Sequence, residues 1–192
     1  MKASNFKGWF GELIPNCKIC HSQHYNERPT NSGSTPEISL LVIHNISLPP
    51  EQFGGDDIEQ FFQGTLDFSK HPYYQEIKKL KVSSHFLIKR KGDLVQFVNT
   101  KQRAWHAGKS EFLGEDECND FSIGIELEGS DNQSFCDEQY QTLSKLSQTI
   151  MQQYPQITPQ RIIGHSDIAP TRKTDPGPYF DWRLFYRLIN LT

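Results

Sequence analysis

The sequence lacks any apolar run of about 18 residues, the length that a helix needs to cross a bilayer. Its first residues contain no apolar segment of about 7–15 residues, so they do not predict a secretory signal. Charge of one sign is not in excess either, since 20 basic residues stand against 23 acidic ones and the net charge is −3. We therefore expect a cytoplasmic protein and have no reason to expect nucleic acid or a membrane as a partner.

Cysteine is scarce, and the four residues present are expected to be thiols in a reducing cytosol. Two of them lie in Cys17-Lys18-Ile19-Cys20-His21, which has the pattern of a c-type haem attachment site, half a zinc site or a redox dithiol. No export signal supports haem attachment, and no βαβ pattern surrounds the motif. Cys118 and Cys136 lie too far apart to supply a second zinc-binding pair. We interpret the motif as an incidental loop sequence.

No repeat, low-complexity tract or linker divides the chain, and 192 residues suit one domain with a hydrophobic core. We predict a single domain over residues 1–192 that begins with an irregular N-terminal extension over residues 1–21. The apolar patterns and turn signals predict strands over 38–44, 121–129 and 161–165, a hairpin over 83–98, and helices over 56–64, 72–80, 137–154 and 181–191. Asp137 is the expected N-cap of the third helix. This order predicts an α/β domain with a central mixed sheet flanked by helices.

Two of the seven histidines lie at the ends of predicted strands. His44 ends the first strand, His165 ends the last one, and Asp175 lies in the proline-rich loop that follows. Side chains at strand ends are held by a rigid sheet and face a cleft. Two imidazoles and a carboxylate, with a fourth position for water, form a catalytic zinc site. The alternative is that Asp175 is only a turn or cap residue beside Pro176.

Two glutamates, Glu126 and Glu128, lie on the same face of the strand predicted over residues 121–129. One of them could accept a proton from a water molecule in the same cleft, but the alternation cannot choose between them. The alternative is a solvated sheet face. Lys173 lies two residues before Asp175, where an ammonium group could stabilise an oxyanion; the alternative is a solvated loop lysine.

Four motifs in this order carry a resemblance to a known family: LLVIHNISLPP, RAWHAG, CNDFSIGIELEG and GHSDIAPTRKTDPGP. Together they resemble the zinc-dependent N-acetylmuramoyl-L-alanine amidases, which are related to phage lysozyme-type amidases and peptidoglycan recognition proteins. The resemblance extends from Ser22 to Trp182. It is strongest to the branch that acts on 1,6-anhydro-muropeptides in Gram-negative wall recycling. It implies the peptidoglycan recognition fold.

The resemblance also implies roles for individual residues. His44, His165 and Asp175 match the positions of the Zn²⁺ ligands, Glu126 matches the catalytic acid/base, and Lys173 matches the residue that holds the oxyanion. The positions that match residues lining the substrate cleft are Asn45, Trp105, His106 and Arg172.

The implied reaction is hydrolysis of the amide bond between the lactyl group of (1,6-anhydro-)N-acetylmuramic acid and L-alanine. The substrates would be small anhydro-muropeptides, and no obligatory protein partner is evident. Three alternatives stay open: an autolysin-type amidase that acts on polymeric peptidoglycan, a non-catalytic peptidoglycan-binding module, and a c-type haem carrier. Since all three candidate ligands and the Glu126/Lys173 pair are present, the sequence favours catalysis.

Overall fold

The computed structural model describes residues 7–30 and 36–190. Within these ranges the chain forms ten strands: Lys18–Ile19 (β1), Tyr25–Glu27 (β2), Leu40–Ile46 (β3), Phe86–Ile88 (β4), Leu94–Gln96 (β5), Gln102–Ala104 (β6), Glu111–Phe112 (β7), Glu115–Asp116 (β8), Ser122–Glu128 (β9) and Ile162–Gly164 (β10). Six of them form a central sheet in the order β1-β5-β4-β9-β3-β10. Neighbours in this sheet are parallel except for the antiparallel pair β4 and β5.

The same ranges form five α-helices: Asp57–Gln63 (α1), Pro72–Ile77 (α2), Asp137–Gln153 (α3), His165–Ile168 (α4) and Trp182–Ile189 (α5). The apolar face predicted for the longest helix is buried in the structure, because Tyr140, Leu143, Leu146 and Ile150 of α3 pack in the core. This arrangement confirms the prediction of an α/β domain with a central mixed sheet flanked by helices. The boundaries 1–192 stay a prediction, since residues 1–6, 31–35 and 191–192 lie outside the described part.

The core lies in layers on the two faces of the central sheet. On one face, α3 and α5 cover alternate side chains of the central strands, among them Ile43 of β3 and Ile125 of β9. On the other face, α1 and α2 cover the neighbouring strand β4 through Leu87. Side chains alternate between the faces of a strand, so His44 and Glu126 emerge on the second face, away from α3.

The strand register brings three of the candidate site residues side by side. Glu126 of β9 pairs with His44 of β3. Gly164, the last residue of β10, pairs with Ile43, so His165 follows next to His44. These strands are parallel, and their carboxyl ends therefore lie at one edge of the sheet, where open α/β sheets bind their ligands.

The N-terminal segment differs from its prediction as an irregular extension. Residues 1–6 lie outside the described part, but a 3₁₀ turn at Phe10–Glu12 leads into β1, which extends the central sheet beside β5. Phe10 is fully buried, and its ring packs edge-on against Phe86 of β4. A two-residue strand is too short to produce a detectable alternation of apolar and polar residues.

Two further predicted positions differ by a residue or two. Asp137 is the first residue of α3, and Cys136 precedes it as the N-cap with its backbone N–H donating to Gln139 Oε1 at 3.1 Å. His165 does not end β10 but begins the one-turn helix α4, which Gly164 precedes. The side chain of His165 is therefore held by the first turn of a helix and not by the end of a strand.

Candidate active site

A cavity of about 350 Å³ opens at the carboxyl ends of β3 and β9. Its polar end is lined by His44, Asn45, His106, Glu126, His165, Lys173 and Asp175. Its other wall is largely apolar and comes from α1, α2, the loop after β3 and Trp105. The cavity therefore unites a cluster of titratable groups with a surface that suits an apolar or sugar-like part of a ligand.

His44, His165 and Asp175 converge on one point at the polar end. His44 Nδ1 lies 3.0 Å from His165 Nδ1 and 2.9 Å from Asp175 Oδ2, and His165 Nδ1 lies 3.1 Å from the same carboxylate oxygen. Among the described residues, these three form the group of His, Cys, Asp and Glu side chains whose donor atoms could share a metal ion. The structure thus brings together the trio that the sequence singled out.

The donor atoms of this trio fit a zinc ion. Tetrahedral zinc with bonds of about 2.0–2.1 Å separates its ligand atoms by roughly 3.3 Å, close to the separations found here. Two imidazoles and a carboxylate leave one of the four positions for water or substrate, which is the donor set of catalytic zinc sites.

Both imidazoles are prepared to ligate a cation. Burial lowers the pKa of His44 to about 4, so the ring is neutral at pH 7. His165 Nε2 lies 2.9 Å from the carbonyl oxygen of Ala107 and must donate to it, which leaves the lone pair on His165 Nδ1. Asp175 Oδ2 lies 2.9 Å from His44 Nδ1 and 3.1 Å from His165 Nδ1, so a carboxylate oxygen faces the same point as the two ring lone pairs.

The two glutamates that alternation could not separate have different environments. Both are buried, so the alternative of a solvated sheet face is wrong. Glu128 accepts hydrogen bonds from the backbone N–H groups of Gly54 at 2.6 Å and Arg90 at 2.9 Å. Glu126 lines the cavity, and its buried Oε2 has no hydrogen-bond partner among the described residues. Glu126 is therefore the glutamate available for proton transfer.

The charge state of Glu126 is set by its surroundings. Burial raises its pKa well above the usual range, the negative charge of Asp175 raises it further, and the Lys173 ammonium opposes the shift. A carboxyl group with a raised pKa can exchange protons near neutral pH, as a general acid/base must. Lys173 lines the same cavity, so its ammonium can act on charge that develops there.

The four residues predicted to line the cleft occupy different places. Asn45 lines the cavity, but its amide nitrogen donates to Asp131 Oδ1 at 2.7 Å and to the Pro176 carbonyl at 3.1 Å. It thereby holds the loop that carries Asp175. Trp105 lines the cavity with its indole N–H bonded to Asn26 and its ring stacked on His24.

The other two are engaged with the protein itself. Both ring nitrogens of His106 have protein partners, His44 Nε2 at 3.0 Å and Ser122 Oγ at 3.2 Å. The Arg172 guanidinium donates to the carbonyls of Ala107 and Lys109 at 2.7 and 2.8 Å and does not line the cavity. Their substrate-binding roles stay predictions.

The Cys-x-x-Cys motif lies outside this site. Cys17 packs against the core layer beneath α3 and α5, whereas Cys20 is buried in the layer beneath α1 and α2. Burial also raises the pKa of the Cys17 thiol to about 11, which disfavours the thiolate that metals require. Both cysteines are free.

We expect the double variant Cys17→Ser, Cys20→Ser to bind as much metal per chain as the wild type. The hydroxyl buried at position 20 should lower stability by about 1–3 kcal/mol. Elemental analysis and thermal unfolding measure the two effects. Loss of one metal equivalent from the double variant would instead assign a metal to the cysteines.

The family model and the sequence relatives that match this chain all describe the same kind of amidase. The family described as N-acetylmuramoyl-L-alanine amidase matches residues 34–178. The chain is 54% identical over 173 residues to the 1,6-anhydro-N-acetylmuramyl-L-alanine amidase AmpD of Haemophilus influenzae, covering 90% of this chain and 92% of the relative. It is 51% identical to AmpD of Escherichia coli strain K12, covering 88% and 90%.

Solved structures agree with the sequence relatives. A crystal structure of a selenomethionine AmpD derivative superposes with a TM-score of 0.89 at 47% identity, covering 96% of this chain and 98% of that chain. A complex of the Escherichia coli amidase AmiD with anhydro-N-acetylmuramic acid-L-Ala-D-gamma-Glu-L-Lys superposes with a TM-score of 0.58 at 30% identity, covering 86% and 66%. These similarities confirm the predicted fold. None of the described helices is long and apolar enough to span a membrane; the cytoplasmic location stays a prediction.

Proposed function

The chain belongs to the N-acetylmuramoyl-L-alanine amidase family, and we propose that it hydrolyses the amide bond between the lactyl group of 1,6-anhydro-N-acetylmuramic acid and L-alanine. The observation that carries this proposal is the convergence of His44, His165 and Asp175 beside an unpartnered Glu126 in one cavity. A module that only binds peptidoglycan would not need a buried carboxylate with a raised pKa beside a complete set of ligands.

We propose that the three converging side chains hold Zn²⁺. A zinc ion there would polarise the scissile carbonyl and lower the pKa of a water molecule to about 7. His44 and His165 would bind it as neutral imidazoles, and Asp175 would supply the one negative charge of the donor set.

Glu126 would act twice in the reaction. In its ionised form it accepts a proton from the attacking water molecule, for which Oε2 is free because it has no protein partner among the described residues. It then delivers this proton to the amide nitrogen of L-alanine as the C–N bond breaks, so that a neutral amine leaves. The raised pKa of Glu126 makes its ionised carboxylate a stronger base for the first of these two transfers.

Lys173 would stabilise the oxyanion that forms on the carbonyl oxygen. When the bound substrate excludes water from the cavity, the local dielectric constant is low. The electrostatic attraction between the ammonium group and the oxyanion is then stronger than it would be in water. Loss of one such contact costs about 10²–10³-fold in kcat in other hydrolases, and we expect Lys173→Met to lie in that range.

The sugar of the substrate would lie against the apolar wall of the cavity. The apolar wall from α1, α2 and Trp105 suits the faces of the anhydro-sugar, since an indole ring offers a flat apolar surface. The similarity to 1,6-anhydro-N-acetylmuramyl-L-alanine amidases supports small anhydro-muropeptides as the substrate class, and the proposal includes no obligatory protein partner.

The test is turnover of a purified anhydro-muropeptide by the metal-loaded protein, with the products identified by mass spectrometry. We expect free peptide together with 1,6-anhydro-N-acetylmuramic acid or its disaccharide, and about one zinc per chain. Tight binding without cleavage would overturn the enzymatic proposal. A parallel assay on intact sacculi separates the alternatives, because an autolysin-type amidase would cleave the polymer at least as fast as the soluble substrate.

A further inference from the structure

We propose that the dipeptide His106–Ala107, held in place by the side chain of Asn119, positions both imidazole ligands of the metal site. The inference rests on the ligand set of the proposed function and concerns the residues behind it. Both ring nitrogens of His106 and the carbonyl oxygen of Ala107 are bonded to protein groups. They act through His44 and His165.

The first contact fixes His44 through the imidazole of His106. His44 Nε2 lies 3.0 Å from His106 Nδ1, and His106 Nε2 lies 3.2 Å from Ser122 Oγ. For His44 Nδ1 to offer its lone pair to a metal, the proton must sit on His44 Nε2, which then donates to His106 Nδ1. His106 carries its own proton on Nε2 and donates it to Ser122. One chain of hydrogen bonds thus specifies the tautomers of both rings.

The second contact fixes His165 through the backbone of the next residue. The carbonyl oxygen of Ala107 lies 2.9 Å from His165 Nε2 and also accepts from Arg172 Nη2 at 2.7 Å. A carbonyl only accepts, so His165 carries its proton on Nε2 and presents Nδ1 to the same point as His44. Two adjacent residues therefore orient two ligands that lie 121 positions apart in the sequence.

Asn119 holds this dipeptide against the sheet. Its side-chain Oδ1 accepts from the backbone N–H groups of His106 at 3.0 Å and of Ala107 at 2.8 Å. Asn119 is itself only 5% exposed. Its backbone carbonyl accepts from the buried guanidinium of Arg28 at 3.0 Å. The amide oxygen of Asn119 therefore fixes the position of the backbone that carries both contacts, the one from His106 to His44 and the one from Ala107 to His165.

A glycine on β9 makes room for the His106 ring. A Cβ atom built at Gly124 would lie 2.5 Å from His106 Cγ, closer than real side-chain carbons approach. Gly124 lies two residues before Glu126 and on the same face of the strand. The absence of a side chain there lets the imidazole pack behind His44, and His106 is buried.

Outer partners of histidine ligands contribute to metal binding because they fix the ring and its tautomer; their loss typically costs about 10–100-fold in metal affinity. We expect His106→Phe, which keeps a ring but has no acceptor, to raise the Kd for zinc by that factor in competition with a chelator. His106→Gln offers a side-chain oxygen to His44 Nε2 and should recover much of the affinity. The matched control is His21→Phe, which replaces an exposed imidazole outside the cavity and should leave the Kd unchanged.

Asn119 gives an independent pair of variants in case His106→Phe does not fold. Asn119→Ala removes the acceptor for both backbone N–H groups and should weaken zinc binding. Asn119→Asp keeps an acceptor oxygen and should restore most of it. Cobalt substitution adds a spectroscopic signature, because the intensity of the visible bands follows the geometry of the ligand set. We expect that spectrum to change in His106→Phe and Asn119→Ala and to remain that of the wild type in His21→Phe.

The outcomes separate this inference from the proposed function. If folded His106→Phe and Asn119→Ala both bind zinc as tightly as the wild type with unchanged cobalt spectra, the positioning role is wrong, whether or not the protein cleaves muropeptides. If the wild type binds zinc but cleaves nothing, the proposed function fails and the affinities still decide the positioning role. A wild type without zinc affinity would overturn both.

Discussion

Glu126→Gln should retain its zinc and lose about 10²–10⁴-fold in kcat, the usual contribution of a positioned acid/base group. The amide has nearly the shape of the carboxyl group but can neither accept the proton of the attacking water nor return it to the leaving amine. Metal content should stay near one per chain, because the proposed ligands are His44, His165 and Asp175. Steady-state kinetics on an anhydro-muropeptide and elemental analysis of the same sample measure the two quantities.

Glu128→Gln is the matched control for this variant. Glu128 lies on the same strand face, but its carboxylate accepts from the backbone of Gly54 and Arg90. Hydrogen bonds to a charged group contribute about 1.5–3 kcal/mol each, so the control should unfold at a lower temperature with kcat changed by no more than a few-fold. If Glu126→Gln cleaves at a near-normal rate, or if Glu128→Gln is the dead variant, the assignment of the general base is wrong.

The pH profile tests the same residue without a substitution. Glu126 accepts a proton only when ionised, and burial together with the charge of Asp175 raises its pKa well above the ordinary glutamate range. Activity should therefore fall as the pH decreases through this raised pKa, at a higher pH than an exposed glutamate would give. An acid limb of kcat/KM centred on the ordinary glutamate pKa would argue against a buried base.

Strong local patterns made the framework predictable. Three patterns were clear: the β-branched run at β3, the alternation in β9 and the helical periodicity of α3. Each arises because one or both faces of the element are buried, and burial determines the spacing of apolar residues along the sequence. The predicted strand ends indicated His44 and His165 as candidates, whereas the parallel pairing of β3 with β10 that brings them together is known only from the structure. By contrast, the two-residue β1 and the one-turn α4 are too short for periodicity to show.

Periodicity and strand ends indicated His44 and His165, and only the family resemblance went further, to Glu126 and Lys173. Alternation could not choose between Glu126 and Glu128, because the choice depends on what neighbours each carboxylate. Those neighbours come from distant parts of the chain: Gly54 and Arg90 lie 74 and 38 residues from Glu128. The contacts behind the histidines, from His106 and the Ala107 carbonyl, span 62 and 58 residues. Every residue has a backbone carbonyl, so the sequence does not show that the one of Ala107 accepts from His165.

His165→Ala should lose both the metal and the activity, with kcat/KM reduced by at least about 10³-fold. Only His44 and Asp175 would remain as protein ligands, fewer than the three that catalytic zinc sites use. Polarisation by a metal contributes several kcal/mol to the barrier, and each 1.36 kcal/mol is about a factor of ten in rate. Elemental analysis after gel filtration and kinetics with and without added zinc measure the two losses.

The neighbouring variant Ser166→Ala controls for disturbance of α4, since Ser166 is adjacent in the chain but does not line the cavity. Ser166→Ala should keep its metal. Like the wild type, it should lose activity when a chelator removes the metal and regain it when zinc is added back. His165→Ala should gain no activity from added zinc. The contrast is informative because His165 has two bonds to lose: Nδ1 faces the other ligands, and Nε2 bonds the Ala107 carbonyl. If His165→Ala still holds one zinc per chain, the metal lies elsewhere, and the convergence of the trio within 3.1 Å is a hydrogen-bonded cluster and not a ligand set.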